Sequence, residues 1–162
     1  MSPEQDYPVI GSADGAVAVF VTRATDLVPG QVDTNAAYDV FLFEPGTGAV
    51  TLVSGAAGSA TTTANGTSGS PRLSADGRFV VYESTATDLV TGQTDVPDGY
   101  DILLFDRITG ANALVSDVPG SMTTTATNAG GSNFSRSATI SADGAYVAFN
   151  SRATNTGTSA ER

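Results

Sequence analysis

The sequence predicts an all-β fold assembled from repeated four-stranded antiparallel units, and three observations carry that prediction. First, residues 12–54 return without a gap as residues 74–116. At an offset of 62 positions 23 of 43 residues are identical, and Ser141-Ala142-Asp143-Gly144 opens a third copy. A fixed period marks a repeat architecture, in which each unit buries its apolar faces against its neighbours. Second, the apolar runs inside each copy are of strand length, about 5–6 residues, and rich in β-branched and aromatic residues. Third, Asp-Gly and Thr-Gly pairs punctuate those runs, where a tight turn calls for glycine at positive φ.

The elements follow in order. In the first copy the strands are Pro8-Val9-Ile10, Val17 to Val21, Tyr38 to Phe43 and Val50 to Val53, the first two joined by Ser12-Ala13-Asp14-Gly15. The second copy repeats them as Pro71-Arg72-Leu73, Arg78 to Glu83, Tyr100 to Asp106 and Ala113 to Ser116. Its two turns are Ser74-Ala75-Asp76-Gly77 and Arg107-Ile108-Thr109-Gly110. The third supplies only Ala138-Thr139-Ile140 and Tyr146 to Phe149. Runs such as Val17 to Val21 and Ile102 to Phe105 are apolar at successive positions, which predicts cover on both sheet faces. Small four-stranded antiparallel sheets covered on both faces are the blades of a β-propeller. A sandwich also accepts short strands, but it does not demand a gap-free repeat of a whole four-strand unit. The expected organisation is therefore an N-terminal extension at 1–7, a blade at 8–54, a linker loop at 55–70, a second blade at 71–116, a linker loop at 117–136 and a partial blade at 137–162. That amounts to about two and a half blades of an incomplete propeller.

The residues at 70–84, Ser-Pro-Arg-Leu-Ser-Ala-Asp-Gly-Arg-Phe-Val-Val-Tyr-Glu-Ser, together with Asp101-Ile102-Leu103-Leu104-Phe105-Asp106-Arg107 and Thr109-Gly110, resemble the TolB-like β-propeller repeat. In that family an S-x-D-G turn joins the innermost strand to the second, a D-[IV]-[FYL]-x-x-[DN] strand comes third, and a T-G turn precedes the outermost strand. The resemblance covers nearly all of 8–155. It implies a propeller with more blades than this chain holds, serving as a binding platform in the periplasm or outside the cell. Two departures stand out. The period is 62 residues rather than the roughly 40–50 usual for blade repeats. Gly11 also occupies the position of Leu73 and Ile140, which predicts an irregular inner edge for the first unit.

Composition agrees with an exported, soluble module. Seventeen acidic residues face seven basic ones, all arginine, for a formal charge of −10 with no histidine and no cysteine. Such a surface repels nucleic acid and anionic lipid, so neither is an expected partner. Apolar runs are strand-sized, which predicts no membrane insertion. Met1-Ser2-Pro3-Glu4-Gln5-Asp6 lacks the basic start and apolar core of a signal peptide, so the reading is a fragment whose export signal lies outside this chain. Without His or Cys there is no Ser-His-Asp triad, no cysteine nucleophile and no His-based zinc site. No phosphate loop, dinucleotide fingerprint or G-x-S-x-G elbow occurs either. The remaining acids recur at equivalent repeat positions, and a repeated residue usually serves the repeat; Asp14, Asp76 and Asp143 read as turn formers.

The extra length of the unit lies in two places. One is the loop between the second and third strands, where Asp33, Asn35 and Asp39 in one copy, and Asp95, Asp98 and Asp101 in the next, offer the hard oxygen ligands that calcium takes. Neither loop fits the EF-hand pattern. The competing reading makes these residues turn formers bonded to their own backbone, and both stand at this point. The other extension carries Thr61-Thr62-Thr63 and Thr123-Thr124-Thr125 and predicts an exposed loop. The expected function is a non-catalytic binding or scaffolding module that takes a protein or carbohydrate partner through its loops and self-associates through open blade edges. The alternative is the propeller part of a larger hydrolase or lyase whose catalytic residues lie outside this chain.

Overall fold

The computed structural model describes residues 8–95, 99–127 and 134–155. Among them there is no helix, and ten strands form three antiparallel sheets. The first sheet has the order β1 (Ile10–Gly11), β2 (Ala18–Thr22), β3 (Asp39–Glu44) and β4 (Ala49–Leu52). The second repeats it with β5 (Ser68–Leu73), β6 (Phe79–Ser84), β7 (Asp101–Asp106) and β8 (Ala111–Leu114). The third pairs β9 (Ser135–Ile140) with β10 (Val147–Ser151). Registers repeat as well: Val19 faces Leu42 as Val81 faces Leu104, and Phe41 faces Leu52 as Leu103 faces Leu114.

The Ser-Ala-Asp-Gly turn is built identically three times. Ser12, Ser74 and Ser141 each donate their hydroxyl to the aspartate two residues on, at 2.7, 2.6 and 2.6 Å. The same serine oxygens accept the backbone N–H of Val17, Phe79 and Tyr146. Gly15, Gly77 and Gly144 sit at φ of 71°, 67° and 72°, the left-handed region where a side chain is strained. Asp14, Asp76 and Asp143 are thus held as turn formers, each carboxyl lying below its usual pKa through its serine hydroxyl first and a backbone N–H second.

Successive sheets stack face to face. Strand alternation sends Val19, Val40 and Leu42 of the first sheet against Val80, Tyr82, Leu103, Phe105 and Leu114 of the second, all nearly inaccessible to water. The opposite face of the second sheet, with Val81, Ile102 and Leu104, packs on Ala138, Ile140, Val147 and Phe149 of the third. Each seam has the same hydrogen bond between turns: Ala13 N–H to Ala75 O at 3.0 Å, then Ala75 N–H to Ala142 O at 2.9 Å. Each also lodges a glycine against a side chain of the sheet before it. A Cβ on Gly77 would lie 2.2 Å from Val17 Cγ2, and one on Gly144 would lie 2.4 Å from Phe79 Cδ2. Arg107 of the second sheet adds an ion pair to Glu44 of the first.

Two sequence expectations are corrected in detail. The first inner strand is irregular as expected, only two residues against six in β5 and β9. But β5 and β9 begin at Ser68 and Ser135 rather than at 71 and 138, because a bulge lengthens each. The bulge residues Ser70 and Ser137 sit at positive φ, and the buried Glu83 accepts the N–H of Ser137 at 2.7 Å. The two long extensions are also not separate loops. Thr61 and Thr63 bond Val32 as Thr123 and Thr125 bond Thr94, so the threonine clusters pair with the β2–β3 and β6–β7 loops along the outer edge of each sheet.

The seam glycine generates the first prediction. Gly15→Ala suffers only the backbone cost, roughly 1–2 kcal/mol for a left-handed alanine. Gly77→Ala adds overpacking of about 1–3 kcal/mol against Val17. Urea denaturation should therefore show Gly77→Ala clearly less stable than Gly15→Ala, and equal midpoints would mean that the seam is not packed as described.

Candidate functional site: the loop acids

The β2–β3 loop is shaped by its own side chains before any ligand is considered. Gln31 Oε1 accepts the N–H groups of Leu27 and Val28 while its Nε2 donates to Ala24 O; Gln93 does the same for Leu89, Val90 and Ala86. The repeated Thr-Asp-Leu-Val-x-Gly-Gln stretch is therefore a stapled turn, closed by Gly30 and Gly92 at φ 74°. Asp88 in that stretch also reaches across the seam, its Oδ1 accepting the N–H of Asn65 at 3.0 Å. Asn65 in turn holds Thr87 through both side-chain atoms.

The candidate ligands fare unequally. Asp33 Oδ1 accepts the N–H groups of Asn35 and Ala36 at 3.1 and 2.9 Å, an Asx-type turn, with Thr63 Oγ1 at 3.5 Å. Its Oδ2 is buried with no hydrogen-bond partner among the described residues. Asn35 turns away to close the loop, its Nδ2 donating to Ala64 O and its Oδ1 accepting Ala37 N–H. Asp95 accepts Thr125 Oγ1 at 3.0 Å and Gln93 Nε2 at 3.3 Å. Asp98 lies outside the described residues.

Asp39 and Asp101 are not loop residues at all. They begin β3 and β7 and are 1% and 0% exposed. Ser54 Oγ donates to Asp39 Oδ1 at 2.7 Å and accepts Val40 N–H; Ser116 repeats both contacts with Asp101 and Ile102. Burial raises the Asp39 carboxyl from 3.8 to about 7, with the Ser54 hydroxyl opposing and the negative charge of Asp33 adding to the rise. Asp33 is thus felt by Asp39 only through its charge, and Asn35, Asp95 and Asp101 are engaged with protein partners. Among the described residues no three acidic side chains converge as a metal cluster.

Sequence reasoning missed the Asp–Ser pairs and the glutamine staples, although the signal was there: Ser54/Ser116 and Gln31/Gln93 are identical in register with their partners. A groove of about 500 Å³ runs between β4, the 55–60 segment and β8. Asn112 in its wall is already committed, its Nδ2 to Val53 O and its Oδ1 to Tyr82 OH. No protein family matches the chain, and a search of curated proteins finds no match.

Asp39 sets the sign of a pH dependence. Its folded pKa lies above the unfolded value, so its contribution is fully present below about pH 4 and is lost as pH rises through about 7. Each tenfold gain in the proton affinity of the carboxyl on folding is worth about 1.4 kcal/mol, before relaxation reduces it. In chelator-containing buffer the Asp39 contribution should lower the wild-type urea midpoint between about pH 4 and 7 and level off above that. Asp39→Asn, which keeps the Ser54 hydrogen bond, should flatten that fall, and a flat wild-type profile would overturn the assignment.

Proposed function

We propose that the chain is a non-catalytic scaffolding module, a run of TolB-like β-propeller blades from an exported bacterial protein that offers its loops to a protein or carbohydrate partner. One observation carries this reading: the polar residues that recur are spent on the unit itself. Ser12/Asp14 and its two counterparts close turns, Asp39–Ser54 and Asp101–Ser116 fasten the third strand to the segment after the fourth, and Gln31 and Gln93 staple loops. Asp33 is the exception, its Oδ2 buried without a hydrogen-bond partner among the described residues, and its charge acts on the buried Asp39 rather than on a candidate nucleophile. Support for the propeller comes from three sheets stacked face to face with their S-A-D-G turns hydrogen-bonded in line.

The reading has a direct test in stability. Asp14→Asn, Asp76→Asn and Asp143→Asn should each lower the melting temperature, because each removes a charged acceptor from its turn. Functional carboxylates behave oppositely, since their replacement often stabilises. A rise in melting temperature at any of the three would count against the scaffold.

We assign calcium, as a secondary feature of this reading, to the first loop alone, where Asp33 Oδ2 is buried without a hydrogen-bond partner among the described residues and the charge of Asp33 helps raise the Asp39 pKa. A bound cation offsets that repulsion and stabilises the fold by mass action. Millimolar calcium should raise the melting temperature of the wild type and leave Asp33→Asn unmoved. A curve that ignores both chelator and calcium removes the ion.

A further inference from the structure

The outer margin of the first seam opens into a groove that the two sheets leave unfilled. We infer that this groove binds an uncharged saccharide chain, which rests on the scaffold reading above and names the class of its partner.

The groove accompanies a departure from the repeat. Thr51 of β4 shares a sheet face with Leu42, and Asn112 of β8 shares one with Phe105, so both look into the first seam from its outer strands. Beside them the wall Gly55-Ala56-Ala57-Gly58-Ser59-Ala60 stands where the second unit carries Asp117-Val118-Pro119-Gly120-Ser121-Met122. Small residues replace larger ones at four of those six places. The space between β4, that wall and β8 is about 500 Å³, within the roughly 300–1,000 Å³ of small-molecule sites. A second hollow of about 370 Å³ adjoins it, with Ala56, Ala57, Val90 and Thr91 lining both. The site is therefore elongated, with two compartments for a chain of linked rings.

Its chemistry narrows the occupant. Among the described residues no ionisable side chain lines the larger compartment, although the chain carries a formal charge of −10. A charged ligand would give up water there and find no counter-charge. The floor is apolar, with Leu89 and Phe105 each 2% exposed. Polar capacity on the rim is left in hydroxyls. Those of Thr51 and Thr91 make no hydrogen bond among the described residues, and Ser59 Oγ accepts the N–H groups of Thr61 and Thr62 while donating to no protein group. Backbone donors of the wall are spent: Ala56 N–H on Thr62 O, Ala57 N–H on Asp88 O and Ser59 N–H on Ala56 O. That wall therefore offers no strand edge for a peptide to extend. An apolar floor beneath unspent hydroxyls matches a pyranose ring, which has an apolar C–H face and a hydroxyl rim.

NMR titration of the 162-residue protein with neutral di- and trisaccharides of glucose, galactose, mannose and N-acetylglucosamine tests this. At least one should shift the amide signals of Thr51, Ala57, Thr91 and Asn112 together and saturate in the millimolar range or below. Ala60→Met, which puts the second unit's residue into the wall, should weaken binding about tenfold without moving the melting curve, since Ala60 is exposed. Thr51→Val, which keeps the shape and removes the hydroxyl, should weaken it by up to about tenfold. No saturable shift from any of these saccharides at tens of millimolar overturns the proposal, and so does binding that both variants leave intact. Equal saturation by cyclohexanol or by an end-blocked tetra-alanine peptide also overturns it, marking a plain apolar gap or a peptide groove instead. Failure of the scaffold reading looks different: it appears as a raised melting temperature in the Asp14, Asp76 or Asp143 variants, none of which lines the groove.

Discussion

A glycine without room for a side chain governs this molecule. Gly77 and Gly144 take a backbone conformation that tightens the S-A-D-G turn, and the same missing Cβ lets Val17 and Phe79 of the preceding sheet come to van der Waals contact. Turn geometry and sheet stacking are thereby one constraint. The aspartate and serine hold the turn to the shape that the glycine permits, and the turn then sets the alanine amide at hydrogen-bonding distance from its neighbour. With the inner ends of the sheets pinned in this way, the apolar faces meet in a repeating register, and Val19, Val40 and Leu42 find Tyr82 and Phe105.

Much of this was legible in the residues. Strand positions followed from run length and from Asp-Gly punctuation, and the offset of 62 made the first two units equivalent residue by residue. What stayed hidden has a physical cause in each case. Asp39 and Asp101 read as loop ligands because a carboxylate next to a tyrosine and a polar loop looks solvated. Only the folded register shows Ser54 and Ser116, fifteen residues on, folding back to bond them inside the sheet. The threonine clusters read as free loops because their partners, Val32 and Thr94, are separated from them by a whole hairpin. The bulges at Ser70 and Ser137 depend on a positive φ at a residue other than glycine, which composition does not reveal.

Charge is handled by the scarce arginines. Arg78 pairs with Asp106 inside the second sheet and lies over Phe79, and Arg107 reaches Glu44 across the seam. Arg23 covers the Tyr38 ring and Arg136 covers Tyr100, at 4.2 and 4.0 Å. Planar guanidinium groups thus shield the aromatic rings that precede β3 and β7, a role a lysine ammonium fills less well. Exposed carboxylates such as Asp14, Asp26 and Asp143 face solvent, where their mutual repulsion is screened by salt.

The seams also have a polarity in time. In each, the side chain that receives the glycine and the amide that donates between turns belong to the earlier sheet, while the glycine and the carbonyl belong to the later one. A chain emerging from the ribosome completes its platform before the segment that lodges on it is made. Assembly in the direction of synthesis therefore never needs a finished sheet to wait for its support, and because strands pair with their neighbours in sequence, each addition joins segments already made.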